Sequence, residues 1–305
     1  MGKVAFVFSG QGAQAPGMGR DLYENSPAAK AAFDAADAIR PGTSKQCFEG
    51  TEDELRETKN TQPDMFAMEL AAAAALNEAG VRADMTAGFS LGELSALAYA
   101  GTAEFDALFR LVCRRGELMQ RAAEQQPTAM AAVLKLTNEQ VEQVCAGFEH
   151  IYPVNYNCPG QVSVSGLESE MTELYAAVKA AGGRAMPIKV RGAFHSPYMR
   201  EASDEFDLEI AKCAFKAPEI PLYSNYTGAP YGDDVAALLR EQMCHPVLWE
   251  TIVRGMIAAG ADTFIELGPG RTLCNLIAKT DKTARCFAVS EMKDLAAVVQ
   301  EVGTC

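Results

Sequence analysis

Short apolar runs alternate along the chain with longer stretches in which apolar residues recur every three or four positions. Val4–Phe8 is unbroken and rich in Val and Phe, the composition of a strand buried on both faces, and a glycine-rich loop over 9–19 follows it. The alanine-rich stretch 64–80 predicts a helix. Residues 85–89 predict a strand that leads into a helix over 90–100, and 102–124 predict a long amphipathic helix. Near the C-terminus, 263–267 and 286–289 predict further strands, each with a helical pattern behind it. Strands alternating with helices in this way indicate an α/β architecture.

The middle of the chain breaks that rhythm. A strand pattern over 130–136 is followed by Thr137 and Gln140, spaced as a capping box for a helix running to 146. Two short strand patterns, 151–157 and 161–165, precede a helix over 167–181, which Gly182-Gly183 stops, and 184–190 form another strand pattern. The order β-α-β-β-α-β is ferredoxin-like. Residues 127–193 are therefore read as a small domain inserted in a larger, discontinuous one made of 1–126 and 194–305.

Composition narrows the function classes. The net charge of -13 over 305 residues argues against general nucleic-acid binding, which selects a basic surface. Nine cysteines show no C-x-x-C spacing, and their odd number suits a reducing compartment. No apolar run approaches the roughly 20 residues of a membrane span, and Val4–Phe8 is too short for a signal peptide. The expectation is a cytoplasmic protein without membrane or nucleic-acid partners.

Gly88-Phe89-Ser90-Leu91-Gly92 matches G-x-S-x-G between a predicted strand and a predicted helix, the context of a nucleophile elbow. A serine needs a base, and there are three histidines. His150 lies in a loop of the insert and His245 precedes a proline. His195 sits where the chain leaves the insert, just before Ser196-Pro197 opens a new helix, and is the best candidate. On the helix over 102–124, Arg110, Arg114 and Arg121 project away from the apolar stripe, whereas Arg115 stacks with Leu108 and Met119 at its inner edge. An inward arginine needs an anionic partner, either an internal carboxylate or a substrate carboxylate. Gly10-Gln11-Gly12-Ala13-Gln14-Ala15 formally fits a dinucleotide fingerprint. However, Pro16, Gly17 and Gly19 break the required helix, and 28–39 has helical composition where a second strand should end in an acid. NAD binding is rejected, and the loop is read as a close backbone approach to the reacting centre.

In order along the chain, Gly10-Gln-Gly12, Gly88-Phe-Ser-Leu-Gly-Glu93, Arg115-Gly116, Asn157-Cys-Pro-Gly-Gln-Val162, Gly192-Ala-Phe-His195, Gln242 through Pro246-Val247, and Glu266-Leu-Gly-Pro-Gly270 resemble the malonyl-CoA:acyl carrier protein transacylase family. The resemblance covers almost the whole chain. It implies an α/β-hydrolase-like large domain with the ferredoxin-like insert, and ping-pong acyl transfer without metal or redox cofactor. By the same resemblance, Ser90 is the nucleophile and His195 its general base and acid. Arg115 binds the malonyl carboxylate, backbone N–H groups of Gln11 and Leu91 form the oxyanion hole, and Gln242 orients the histidine through its main-chain carbonyl. The implied partners are a CoA thioester and acyl carrier protein, met by a monomer. Both are anionic, so a basic patch is required at the cleft, with Lys189 and Arg191 as candidates. One departure stands out: Phe89 occupies the place of the histidine common in this family, which puts acyl selectivity in question. A free-standing polyketide-type acyltransferase and a serine hydrolase are the alternatives.

Overall fold

A computed structural model describes residues 2–302. Its larger sheet contains β1 (Lys3–Phe8), β2 (Met85–Gly88), β7 (Leu222–Tyr223), β8 (Ala261–Leu267) and β9 (Arg285–Val289). They lie in the order β7-β2-β1-β8-β9, and every pairing is parallel. The central strands are almost wholly buried because helices cover both faces. Phe6 and Phe8 pack into one core while Ala5 and Val7 pack into another on the opposite side.

The second sheet is antiparallel and contains β3 (Thr128–Leu134), β4 (Ile151–Cys158), β5 (Gln161–Leu167) and β6 (Arg184–Arg191), in the order β4-β5-β3-β6. Two helices, Asn138–Cys145 and Met171–Ala180, cover one face over a core of its own that includes Val133, Val164 and Leu174. Thr137 and Gln140 form the capping box as the spacing predicts, each side chain bonding the other's backbone N–H.

One strand was not expected and one helix boundary is corrected. The short edge strand β7, with only two residues, carries too little pattern to be read in advance. The alanine-rich helix spans Thr58–Glu78, so it starts six residues before the predicted position and contains Pro63. A proline there removes the amide that would bond Lys59 and costs roughly 3 kcal/mol in an exposed helix. Burial of the apolar Met65, Phe66, Ala67 and Met68 just behind it offsets that cost. The earlier start brings the helix against the one at Phe105–Gln125. Gly116 permits the approach: a Cβ there would lie 2.9 Å from the Thr58 carbonyl oxygen.

Candidate active site

The elbow is built from β2, which ends at Gly88, and the helix Gly92–Tyr99. Both glycines are required by contact. A Cβ on Gly88 would lie 1.9 Å from Gly92 backbone atoms, and one on Gly92 would lie 2.2 Å from the Phe8 carbonyl oxygen. Ser90 between them has φ 55°, a left-handed conformation costing about 1–3 kcal/mol for a non-glycine residue. This turn projects its Oγ into the cleft.

His195 enters from the other side. The chain leaves β6 through Gly192, and Ser196 caps the short helical turn Pro197–Met199 by accepting from the Tyr198 N–H. His195 Nε2 lies 2.6 Å from Ser90 Oγ. Its Nδ1 lies 3.0 Å from the Gln242 carbonyl and 3.2 Å from that of His245. Two carbonyl acceptors require a proton on Nδ1, which leaves the Nε2 lone pair to accept from the serine hydroxyl. Burial, and secondarily the Arg115 charge, lowers the imidazole pKa to about 4. The ring is therefore neutral at pH 7 and able to take a proton.

Arg115 points inward as predicted and is fully buried. Its NH1 donates to Gln62 Oε1 at 2.9 Å and its NH2 to Gln242 Oε1 at 2.8 Å, while NH2 also lies 3.4 Å from Ser90 Oγ. These primary partners are neutral amides, and Nε has no partner among the described residues. Burial lowers the guanidinium pKa only to about 10, so it remains charged at pH 7. Glu93, the carboxyl whose charge acts on it, has its own pKa raised to about 7, chiefly by burial. Arg114 and Arg121 instead reach Glu205 at the surface.

The cleft has a volume of about 240 Å³. Gly10–Ala13, Phe89, Ser90 and His195 form part of its wall, so the glycine-rich loop does approach the reacting centre. The Gln11 and Leu91 main-chain N–H groups have no acceptor among the described residues, and Leu91 stands at the N-terminus of the helix Gly92–Tyr99. They can stabilise a developing oxyanion. Asn155 and Asn157 also line the cleft, and their buried Oδ1 atoms have no partner among the described residues. Glu266 closes the floor, accepting from the Leu273 and Cys274 N–H groups at the start of another helix.

Gln62 and the His245 carbonyl were not singled out by sequence reasoning. A helix begun at Thr58 rather than at 64 would have put Gln62 on it, without saying which distant group it meets. Gln242 does more than its main-chain expectation, because its Nε2 also donates to the Ser90 carbonyl at 2.6 Å. Lys189 is exposed and lies outside the cleft lining, where Ile188 and Val190 take the inward places; the Arg191 side chain is outside the description. Phe89 packs edge-on against Trp249, with ring centroids 5.6 Å apart. Glu241, Cys244 and His245 have donor atoms within 4.8 Å of one another, but His245 Nδ1 bonds the Glu241 carbonyl and none of the three lines the cleft.

A serine held by a neutral histidine, two free N–H groups and a buried guanidinium can carry out acyl transfer on a substrate with a free carboxylate. Comparison with known proteins agrees. Residues 5–301 match the acyl transferase domain family. The malonyl CoA-acyl carrier protein transacylase of Bacillus subtilis (strain 168) is 37% identical over 308 aligned positions, covering 98% of this chain and 97% of the relative. The crystal structure of the corresponding Clostridium perfringens protein superposes with a TM-score of 0.95 at 32% identity, covering 99% of this chain and 97% of that one. A malonyl-transacylase solved with a type II polyketide acyl-carrier protein, PlMCAT with AntF, gives 0.94 at 32% identity, covering 98% and 99%. With sequence and fold shared over nearly the whole length, the chain belongs to the acyl transferase family, among the malonyl CoA-acyl carrier protein transacylases.

Proposed function

We propose that the protein moves a malonyl group from malonyl-CoA to the phosphopantetheine thiol of acyl carrier protein through a malonyl-Ser90 ester, supplying extender units for fatty-acid synthesis. One observation carries the choice of acyl group: a fully buried, charged Arg115 with its NH2 3.4 Å from a serine oxygen that is itself 2.6 Å from its base. A single methylene separates the two carbonyl carbons of malonyl. A substrate carboxylate therefore reaches the guanidinium when the thioester carbon reaches Ser90 Oγ.

His195 Nε2 takes the Ser90 proton as Oγ attacks the thioester carbon. The Gln11 and Leu91 N–H groups hold the oxyanion. Collapse breaks the C–S bond, and CoA leaves as a thiol with the proton from His195. The carrier thiol then gives its proton to His195 and attacks the ester, and Ser90 regains the proton as it leaves. The unpartnered Asn155 and Asn157 oxygens can accept from amide N–H groups of a pantetheine arm lying in the cleft. No step requires a metal or redox cofactor. We also read the protein as a cytoplasmic monomer; among the described residues no helix is long and apolar enough to cross a membrane.

The test is intact-protein mass after mixing with malonyl-CoA or acetyl-CoA, for wild type and Ser90→Ala, followed by holo carrier protein. The expected result is a malonyl adduct that depends on Ser90 and moves to the carrier. An adduct lost to water would overturn the transfer and leave a hydrolase.

A further inference from the structure

The elbow is held by a residue that belongs to none of the groups above. Asn225 lies just beyond β7, is fully buried, and sends its side chain between the two ends of the turn. Its Oδ1 accepts from the Ser90 N–H at 2.7 Å and its Nδ2 donates to the Gly88 carbonyl at 2.6 Å. The amide's orientation follows from chemistry, because a peptide N–H only donates and a carbonyl only accepts. The backbone of Asn225 is fixed on both sides. Its N–H donates to Glu93 Oε1 at 2.8 Å, an oxygen that also accepts from the Tyr231 hydroxyl at 2.7 Å, and its carbonyl accepts from the Leu248 N–H.

We propose that Asn225 is a positioning residue for the nucleophile: its amide bridges Ser90 and Gly88, holds the strained turn, and occupies the Ser90 N–H so that Leu91 and Gln11 alone face the oxyanion. Both of its bonds satisfy backbone groups that the left-handed turn takes out of ordinary pairing. Without it the turn relaxes, and Oγ leaves the 2.6 Å contact with His195. The inference depends on this geometry and on a serine that reacts, not on which acyl group it carries.

A fluorophosphonate that labels Ser90 reads the elbow without an acyl donor, with Ser90→Ala as the control for site. In Asn225→Ala, the labelling rate per folded protein should fall about 10- to 100-fold through the loss of two buried hydrogen bonds. The Michaelis constant for malonyl-CoA should stay within about threefold, since Arg115 and the cleft wall are untouched. Asn225→Asp keeps the acceptor for Ser90 but turns a carboxylate oxygen toward the Gly88 carbonyl. Protonation converts that oxygen to a donor and restores the bridge, so the labelling ratio of this variant to wild type should rise roughly two- to tenfold as pH falls from about 8 to 6. Glu93, Tyr231, His195 and Arg115 face the same region, and Asn225→Ala, which adds no charge, is followed over the same pH range to separate their titration from that of the new carboxyl. A labelling rate in folded Asn225→Ala equal to wild type, or a ratio for Asn225→Asp that does not change with pH, overturns the role. Should the alanine variant not fold, the aspartate ratio decides alone.

Discussion

Replacing Arg115 by alanine should erase the preference of the site for malonyl over acetyl. In the native cleft the guanidinium is fully buried, two of its N–H groups are taken by the Gln62 and Gln242 amides, and Nε has no partner among the described residues. A malonyl carboxylate supplies the missing anion, and acetyl does not. Charge-assisted hydrogen bonds contribute about 1.5–3 kcal/mol each, so a two-pronged contact corresponds to a discrimination of roughly 10²- to 10⁴-fold in kcat/KM. That factor should disappear from the malonyl reaction of Arg115→Ala, while the acetyl reaction changes by less than about tenfold. Arg115→Lys keeps the charge but not the planar fork, and should fall between the two. The assay is competitive acylation of Ser90 by equal malonyl-CoA and acetyl-CoA, read by intact mass at about pH 8, where His195 is neutral in every variant. A malonyl-to-acetyl ratio equal to that of wild type would refute the reasoning.

Because the pKa of His195 is lowered to about 4, the acid limb of kcat/KM should lie well below the ordinary imidazole range, and it should move upward in Arg115→Ala, where a repelling charge is gone. The unfolded chain binds that proton near pH 6.5, so between about 4 and 6.5 this group makes stability fall as pH falls. Glu93 and Asp64, both raised to about 7, act in the opposite sense, so the His195 share is read as the difference between thermal melts of wild type and His195→Gln across this window. Gly10→Ala would place a Cβ 2.8 Å from the Phe89 carbonyl oxygen and push the loop off the elbow, so kcat should drop at least about tenfold with little change in melting temperature. Phe89→His loses an edge contact with Trp249 of about 0.5–1.5 kcal/mol, which a melt detects, but retains acylation within about tenfold because His195 supplies the base.

Legibility in the sequence followed the range of the physics involved. The β1 strand, the capping box at Thr137 and the inward face of Arg115 are set by neighbours within one or two turns, and their patterns could be read directly. Ser90 was legible because the elbow's steric demand falls on two glycines only two residues away on either side. His195 was legible largely by elimination among three histidines, helped by its place at the edge of the insert. Gln62 and Asn225 were not, because their partners lie 53 and 135 residues away and no local period marks an amide aimed at a distant group. The outward side of Lys189 was illegible for a related reason: proximity to His195 in the chain said nothing about which side of β6 would face the cleft.

The bond between nucleophile and base spans 105 residues, and the carbonyl that orients the base lies another 47 along. Between serine and histidine the chain must complete the whole antiparallel sheet. Contacts of such separation form late, after loop closure has been paid for by other packing. A nascent or partly folded chain therefore carries an ordinary, unreactive serine. The geometry of nucleophile and base is complete only when both sheets are in place. Recovery of labelling at Ser90 then marks the end of refolding rather than its beginning.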